Sequence, residues 1–113
     1  MIYAVNSNSN NVSVIDGFTN TVITTVLVGL LPIGVGVNTS TNLIYVTNAN
    51  SNNVSVINGN TNAVFATVPV GIFPISVGDN TTTNLIYVAN MSSDNVSVIN
   101  GNTNTSLATV PVG

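Results

Sequence analysis

The chain contains no lysine, arginine, histidine or cysteine, and its only formally charged side chains are Asp16, Asp79 and Asp94, for a net charge of −3. Each absence removes a chemistry. Binding to a nucleic-acid backbone depends on Lys or Arg to displace counterions from phosphates, so a nucleic-acid partner is not expected. Arginine forks on carboxylates or phosphates and cation–π contacts are excluded on the same ground. Disulfide frameworks, Cys/His metal sites, Ser-His-Asp triads and Cys-His pairs cannot be assembled from these residues. The longest stretch without polar side chains, Val26 to Val37, is broken by Gly29, Pro32, Gly34 and Gly36. It is shorter than the roughly 18–20 apolar residues of a spanning helix, and membrane insertion is not expected. The opening MIYAVNSNSN has no basic segment ahead of an apolar one, so an export signal is not expected within these residues.

What is present is narrow. Asn (21), Thr (15) and Ser (11) supply 47 of the 113 positions and Val another 20, which sets a polar, uncharged set of residues against a β-branched one. Low charge with a positive mean hydropathy argues for a folded chain.

The residues are organised by an internal repeat of 42 positions. NVSVIDG at Asn11–Gly17 returns as NVSVING at Asn53–Gly59 and at Asn95–Gly101. Ile2-Tyr3 returns as Ile44-Tyr45 and Ile86-Tyr87, and Val28-Gly29 as Val70-Gly71 and Val112-Gly113. Residues 2–43 and 44–85 share 28 identities in 42 positions without a gap, and the third copy occupies 86–113. The 113 residues therefore read as a single repeat array. In the middle copy, Leu43–Asn48, Val54–Ile57 and Ala63–Val70 read as strands and Ile75–Val77 begins a fourth, leading into a polar turn from Asp79 to Asn84. Asn-Gly pairs suit the tight reversals, and Gly29, Gly71 and Gly113 read as turn positions. Four short strands with short connections form an antiparallel meander; the long crossovers of a parallel sheet are missing. One such sheet needs a second layer, and stacking four-stranded repeats of this length around an axis gives a β-propeller. A β-sandwich does not call for near-identical repeats, and solenoid coils are shorter. The expected fold class is all-β, with about 2.7 propeller blades per chain.

IYVTN (Ile44–Asn48), IYVAN (Ile86–Asn90) and the looser IYAVN (Ile2–Asn6), each followed by NVSVI-D/N-G and a strand ending in V-x-V-G, with Pro32 and Pro74 three residues after a glycine, resemble the YVTN repeat family of β-propellers. Departures are Ala4 and Val5 in the first copy, Asn58 and Asn100 in place of Asp16, and the absence of basic residues. The resemblance implies multi-bladed propellers of archaeal and bacterial surface-layer and other extracellular proteins, related to lactonase-like enzymes. It also implies that Pro32–Val35 and Pro74–Val77 are innermost strands and that the V-x-V-G strands are outermost. The chain would then hold eleven strands, one short of three blades, and would need further blades of a longer chain or other copies of itself to close a ring. Neither Lys nor Pro guards most of these strands, which favours association through edges or blade faces.

Candidate sites are few. No catalytic, metal or cofactor-binding residue is assigned, and no cofactor is expected. Asp16 suits a local backbone acceptor in its turn, and nothing in the sequence brings the three aspartates together. Tyr3, Tyr45 and Tyr87 recur at the repeat period as packing elements, and Asn6, Asn48 and Asn90 end the same strands, where their amides can bond to loops. Asn11, Asn38, Asn53, Asn80, Asn90, Asn95 and Asn104 satisfy the N-glycosylation sequon. Composition alone would generate several of them, but glycans there would supply solubility in an extracellular setting. The expected function is an extracellular or cell-surface scaffold or interaction module that is not an enzyme. Its partners would be copies of itself, further blades, or surface glycans or proteins. A ring- or filament-forming structural protein and a fragment of a lactonase-like enzyme are the alternatives.

Overall fold

The computed structural model describes residues 1–113, all of them in strands or short connections. The strands are β1 (Ile2–Asn6), β2 (Asn11–Asp16), β3 (Thr21–Leu27), β4 (Pro32–Asn38), β5 (Leu43–Asn48), β6 (Asn53–Asn58), β7 (Ala63–Pro69), β8 (Pro74–Asn80), β9 (Leu85–Asn90), β10 (Asn95–Asn100) and β11 (Thr105–Pro111). They form three antiparallel meanders, β1-β2-β3, β4-β5-β6-β7 and β8-β9-β10-β11. Each is a blade, and the first has three strands where the others have four. Pro32 and Pro74 sit at the start of β4 and β8, which are edge strands, so the missing N–H removes no ladder bond. Asp79 and Asn80 belong to β8, paired with Ile86 and Leu85, so the polar turn begins two residues later than the sequence suggests.

Alternation along each strand sends one set of β-branched side chains to either face of a blade. Between the first and second blades, Val12, Val14 and Val26 meet Ile44, Val46 and Ile57. Between the second and third, Tyr45, Val54, Val56 and Val68 meet Ile86, Val88 and Ile99. The core is thus two separate interlayers, and the second blade contributes to both. One face of every blade offers a Tyr-Val-Val-Val set and the other an Ile-Val-Ile set, with Ala4 for Val in the first blade.

The turns contain a departure from expectation. No glycine has positive φ; that conformation falls on ten other residues, seven of them asparagines at positions 10, 20, 42, 52, 62, 84 and 104, with Leu31, Phe73 and Asp94. Asn tolerates the left-handed region because its short amide bonds locally. Gly29 and Gly71 serve close approach instead. A Cβ on Gly29 would stand 2.7 Å from Cγ of Asn48, and one on Gly71 would stand 2.7 Å from Cγ of Asn90.

The outer edges are guarded, contrary to the expectation from missing Lys and Pro. In each blade the pairing of the last two strands slips by one residue, at Val14/Ile15, Val56/Ile57 and Val98/Ile99. The extra residues, Ile23, Phe65 and Leu107, are exposed on the rim. A bulge of this kind bends the free edge and spoils its use as a template for another strand.

Candidate functional site

Repeated asparagine clamps hold one end of each blade. Asn48 is fully buried at the end of β5. Its Nδ2 donates to Oδ1 of Asn53 (2.8 Å) and Oγ of Ser55 (2.9 Å), and its Oδ1 accepts from the Gly29 backbone N–H (3.1 Å). The same donations run from Asn6 to Asn11 and Ser13, and from Asn90 to Asn95 and Ser97. A second clamp ties this end to the connection between blades. The Asn10 carbonyl accepts from Val28 N–H (3.1 Å) and its side chain from Leu31 N–H (2.9 Å); Asn52 does the same for Val70 and Phe73. Asp94 occupies the third copy of that position and its carbonyl accepts from Val112 N–H. These bonds account for the positive φ at Leu31 and Phe73, which a bulky side chain disfavours.

At the opposite end, Asp16 Oδ1 accepts from Phe18 N–H (2.8 Å), and Asn58 and Asn100 repeat the contact with Asn60 and Asn102. The second and third blades are tied together there through an amide, Asn38 Nδ2 donating to Asn84 Oδ1 (3.0 Å); within the third blade Asn84 Nδ2 donates to Asn102 Oδ1 (2.8 Å). Two buried acceptors, Oδ1 of Asn62 and of Asn90, have no partner. Both correspond, at the repeat period, to atoms that are bonded elsewhere, Oδ1 of Asn104 and of Asn48.

The sequon asparagines are placed unequally. Asn38 and Asn90 are buried, with Nδ2 of each engaged inside the protein. Asn11, Asn53, Asn95 and Asn104 are half-buried, and Asn80 is exposed. A glycan on Asn38 or Asn90 would require that end of the blade to open.

The three tyrosines occupy one repeat position in three environments. Tyr45 is fully buried and its hydroxyl donates to Asn104 Oδ1 of the next blade (3.1 Å). Tyr3 is half-buried, and Tyr87 is 40 % exposed. Burial, and secondarily the negative charge of Asp79, push the Tyr45 phenol above its usual value; burial does the same to Tyr3. The neutral phenol is the folded form, so its contribution to stability is complete below the ordinary tyrosine pKa of about 10 and is lost as pH rises through the higher folded value. Thermal unfolding scans are therefore expected to give a midpoint insensitive to tyrosine up to about pH 9 that falls beyond about pH 10. Tyr45→Phe and Asp79→Asn should each make that fall shallower. A Tyr45→Phe profile superimposable on the parent's would contradict the assignment.

A groove of about 280 Å³ lies on the rim between the first and second blades, with Leu27 and Val64 as its apolar walls and Asn53, Ser55 and Thr67 as its polar ones. No group of three or more acidic side chains is arranged to hold a metal ion. Sequence reasoning did not find the rim residues Ile23, Phe65 and Leu107. Their shared repeat position was the available signal, but their exposure follows from a bulge that composition does not announce.

Three solved structures place the fold. The chain is similar to hydrazine synthase of Kuenenia stuttgartiensis, with a TM-score of 0.91 and 23 % identity over 95 % of this chain. It is similar to the dihydro-heme d1 dehydrogenase NirN in complex with DHE, at 0.85 and 16 % over 98 %, and to apo AztD from Citrobacter koseri, at 0.77 and 13 % over 91 %. It spans only 31 %, 24 % and 29 % of those chains. No protein-family model and no curated protein matches it. The expectation that the protein is not an enzyme is corrected by these neighbours, since hydrazine synthase and the dehydrogenase are enzymes. The physical reason is that several blades share one axis in a propeller, so residues of three blades do not decide whether catalytic groups stand on the others. At these identities the likeness establishes the fold, and the chain consists of β-propeller blades.

Proposed function

We infer that the chain is part of a YVTN-like β-propeller outside the cell or at its surface, where it acts as a scaffold and interaction module. The observation that carries this reading is the repeated Asn-Asn-Ser clamp, which fixes a row of Asn-, Ser- and Thr-rich turns on a rigid sheet end. Rigid loops lose little entropy on binding. Their amides and hydroxyls suit uncharged partners such as surface glycans or protein loops, recognised by hydrogen bonds rather than by ion pairs. The motif resemblance supports the surface-layer setting, and the sequons on half-buried and exposed positions are compatible with glycosylation there.

Protease shaving of intact native cells followed by mass spectrometry tests the location. A broad-specificity protease is needed, because the chain has no Lys or Arg for trypsin. Peptides released from intact cells are expected, and recovery only after lysis would overturn the surface assignment. In the same material, glycan should map to Asn11, Asn53, Asn80, Asn95 or Asn104 and not to Asn38 or Asn90. Unmodified asparagine at all seven sequons would remove the glycosylation part of the reading.

A further inference from the structure

We propose that Asn58 and Asn100 are deamidation sites that the fold keeps closed, so that each reacts only when its own turn opens. They are the asparagines of this sequence that precede a glycine. Asparagine is a thermolabile residue, and a glycine after it leaves the next backbone nitrogen unshielded and free to turn. Once hydroxide takes its proton, that nitrogen bonds to the asparagine Cγ, the Cγ–Nδ2 bond breaks, and ammonia leaves with a proton from water. Water then opens the succinimide: attack at Cγ gives aspartate, and attack at the backbone carbonyl gives isoaspartate. One water is consumed, one ammonia is released, and nothing is oxidised or reduced.

Ring closure requires the peptide between residues 58 and 59 to rotate about the Cα–C bond of Asn58. A planar five-membered ring eclipses Cβ with the glycine nitrogen, and the strand value of ψ, about +135°, holds them apart. That peptide is pinned at both ends. Its N–H, on Gly59, donates to the Asn42 carbonyl (2.8 Å), and its carbonyl, on Asn58, accepts from Asn62 N–H (2.7 Å). Asn58 Oδ1 is engaged by Asn60 N–H (2.8 Å), and Asn42 Nδ2 ties the turn down from outside by donating to Asn60 Oδ1 (2.9 Å). The third blade repeats the arrangement. Gly101 N–H donates to the Asn84 carbonyl (2.8 Å) and Asn104 N–H to the Asn100 carbonyl (2.7 Å). Asn102 N–H donates to Asn100 Oδ1 (2.9 Å) and Asn84 Nδ2 to Asn102 Oδ1 (2.8 Å). Each of these bonds lies within a single blade.

The reactive pair is a requirement of the turn. A Cβ at position 59 or 101 would run into Oδ1 of Asn42 or Asn84, so the glycine cannot be exchanged. The residue before it must offer the turn a side-chain oxygen, and aspartate does so equally: Asp16, at the same repeat position, accepts from Phe18 N–H at 2.8 Å. Conversion to aspartate therefore lets the turn close again with one more negative charge. Isoaspartate lengthens the backbone and breaks the pairing of residue 58 with Leu43 and Ala63.

Timed incubation of the chain at mildly alkaline pH, followed by peptide mapping in the mass spectrometer, tests the proposal. In urea, Asn58 and Asn100 should convert faster than any other asparagine. In the folded protein both should convert at least about 100-fold more slowly, a factor set by the rarity of local opening. Asn60→Ala removes the outer tie of the second blade's turn and should speed conversion of Asn58 about 3- to 10-fold while leaving Asn100 unchanged; Asn102→Ala should do the reverse. Asn58→Asp, the product made directly, should keep the parental β spectrum. Hydrogen exchange on the parent needs no variant and should show the Gly59 and Gly101 amides protected. Conversion in the folded chain as fast as in urea, or open-chain exchange at those two amides, would overturn the proposal. So would acceleration at the unmatched site or at neither site in the alanine variants, or loss of the fold in Asn58→Asp.

Discussion

Asn48→Ala is expected to lower stability by about 3 kcal/mol, one of the two largest effects of any single substitution considered. The side chain is fully buried and makes three hydrogen bonds, to Asn53 Oδ1, Ser55 Oγ and Gly29 N–H. Alanine removes one side of all three while leaving their partners in place with little access to water. A buried polar group left unpaired costs about 1–3 kcal/mol, more than the net worth of the bond it lost. For a domain of this size that corresponds to a fall of roughly 10–15 °C in the unfolding midpoint. Asn6→Ala deletes the corresponding amide from the first blade, where Asn6 is only half-buried. Water reaches that site, and the cost there should be about 1 kcal/mol or less. Thermal denaturation of both variants checks the argument; equal losses would show that burial is not what sets the energy of the clamp.

Gly34→Ala should be comparably damaging, through packing rather than hydrogen bonding. A Cβ at Gly34 would stand 2.7 Å from the Ile75 carbonyl oxygen, 2.9 Å from Thr47 Oγ1 and 3.0 Å from Ser76 Cα. Two of those atoms are backbone of β8 and cannot swing away, so the inner strands β4 and β8 would have to separate. The third is the acceptor for Gly34's own N–H, 2.8 Å away across the bulge at the start of β4. Overpacking costs about 1–3 kcal/mol even where side chains can adjust, and this site has the less forgiving geometry. Gly78→Ala is the control. A Cβ there meets nothing within 4 Å, and the substitution should be neutral or stabilising by up to about 1 kcal/mol. Denaturant titration of the two variants should separate them clearly, and a neutral Gly34→Ala would mean that β4 and β8 are less closely apposed than described.

These two cases also show what could be read from residue order. The 42-residue period, the alternation of β-branched residues and the strand order were legible because each depends on local pattern and on a repeat without gaps. The three-stranded first blade followed from register. The role of the glycines was not legible. Gly36 and Gly78 share a repeat position, yet a Cβ on Gly36 would meet Val77 Cγ1 at 3.3 Å and one on Gly78 would meet nothing within 4 Å, because only Gly36 has another blade against it. Positive φ falls on Asn62 and Asn104 rather than on the Asn-Gly pairs three residues earlier, where Gly59 and Gly101 instead lie against Asn42 and Asn84 with no room for a Cβ. Tyr45 and Tyr87 share a motif, yet one is core and the other surface, because burial here is decided by the next layer rather than by the strand that carries the residue. Likewise Asn38 and Asn80 both satisfy the sequon and end corresponding strands, but only Asn38 is covered.

Within residues 1–113 the second blade is the layer supported on both sides, and in this chain taken alone that ranks the three blades in local stability. Stacked repeats behave approximately as a one-dimensional array in which each unit is held by its own strands and by its contacts with neighbours. Opening the first or third blade breaks one interlayer; opening the second breaks both. Partial unfolding therefore starts at the two ends and proceeds inward, so backbone amides of β5 and β6 exchange their hydrogens most slowly. The last region to come apart is the middle of the array, around Tyr45, Val54 and Ile57, whose side chains are fully buried.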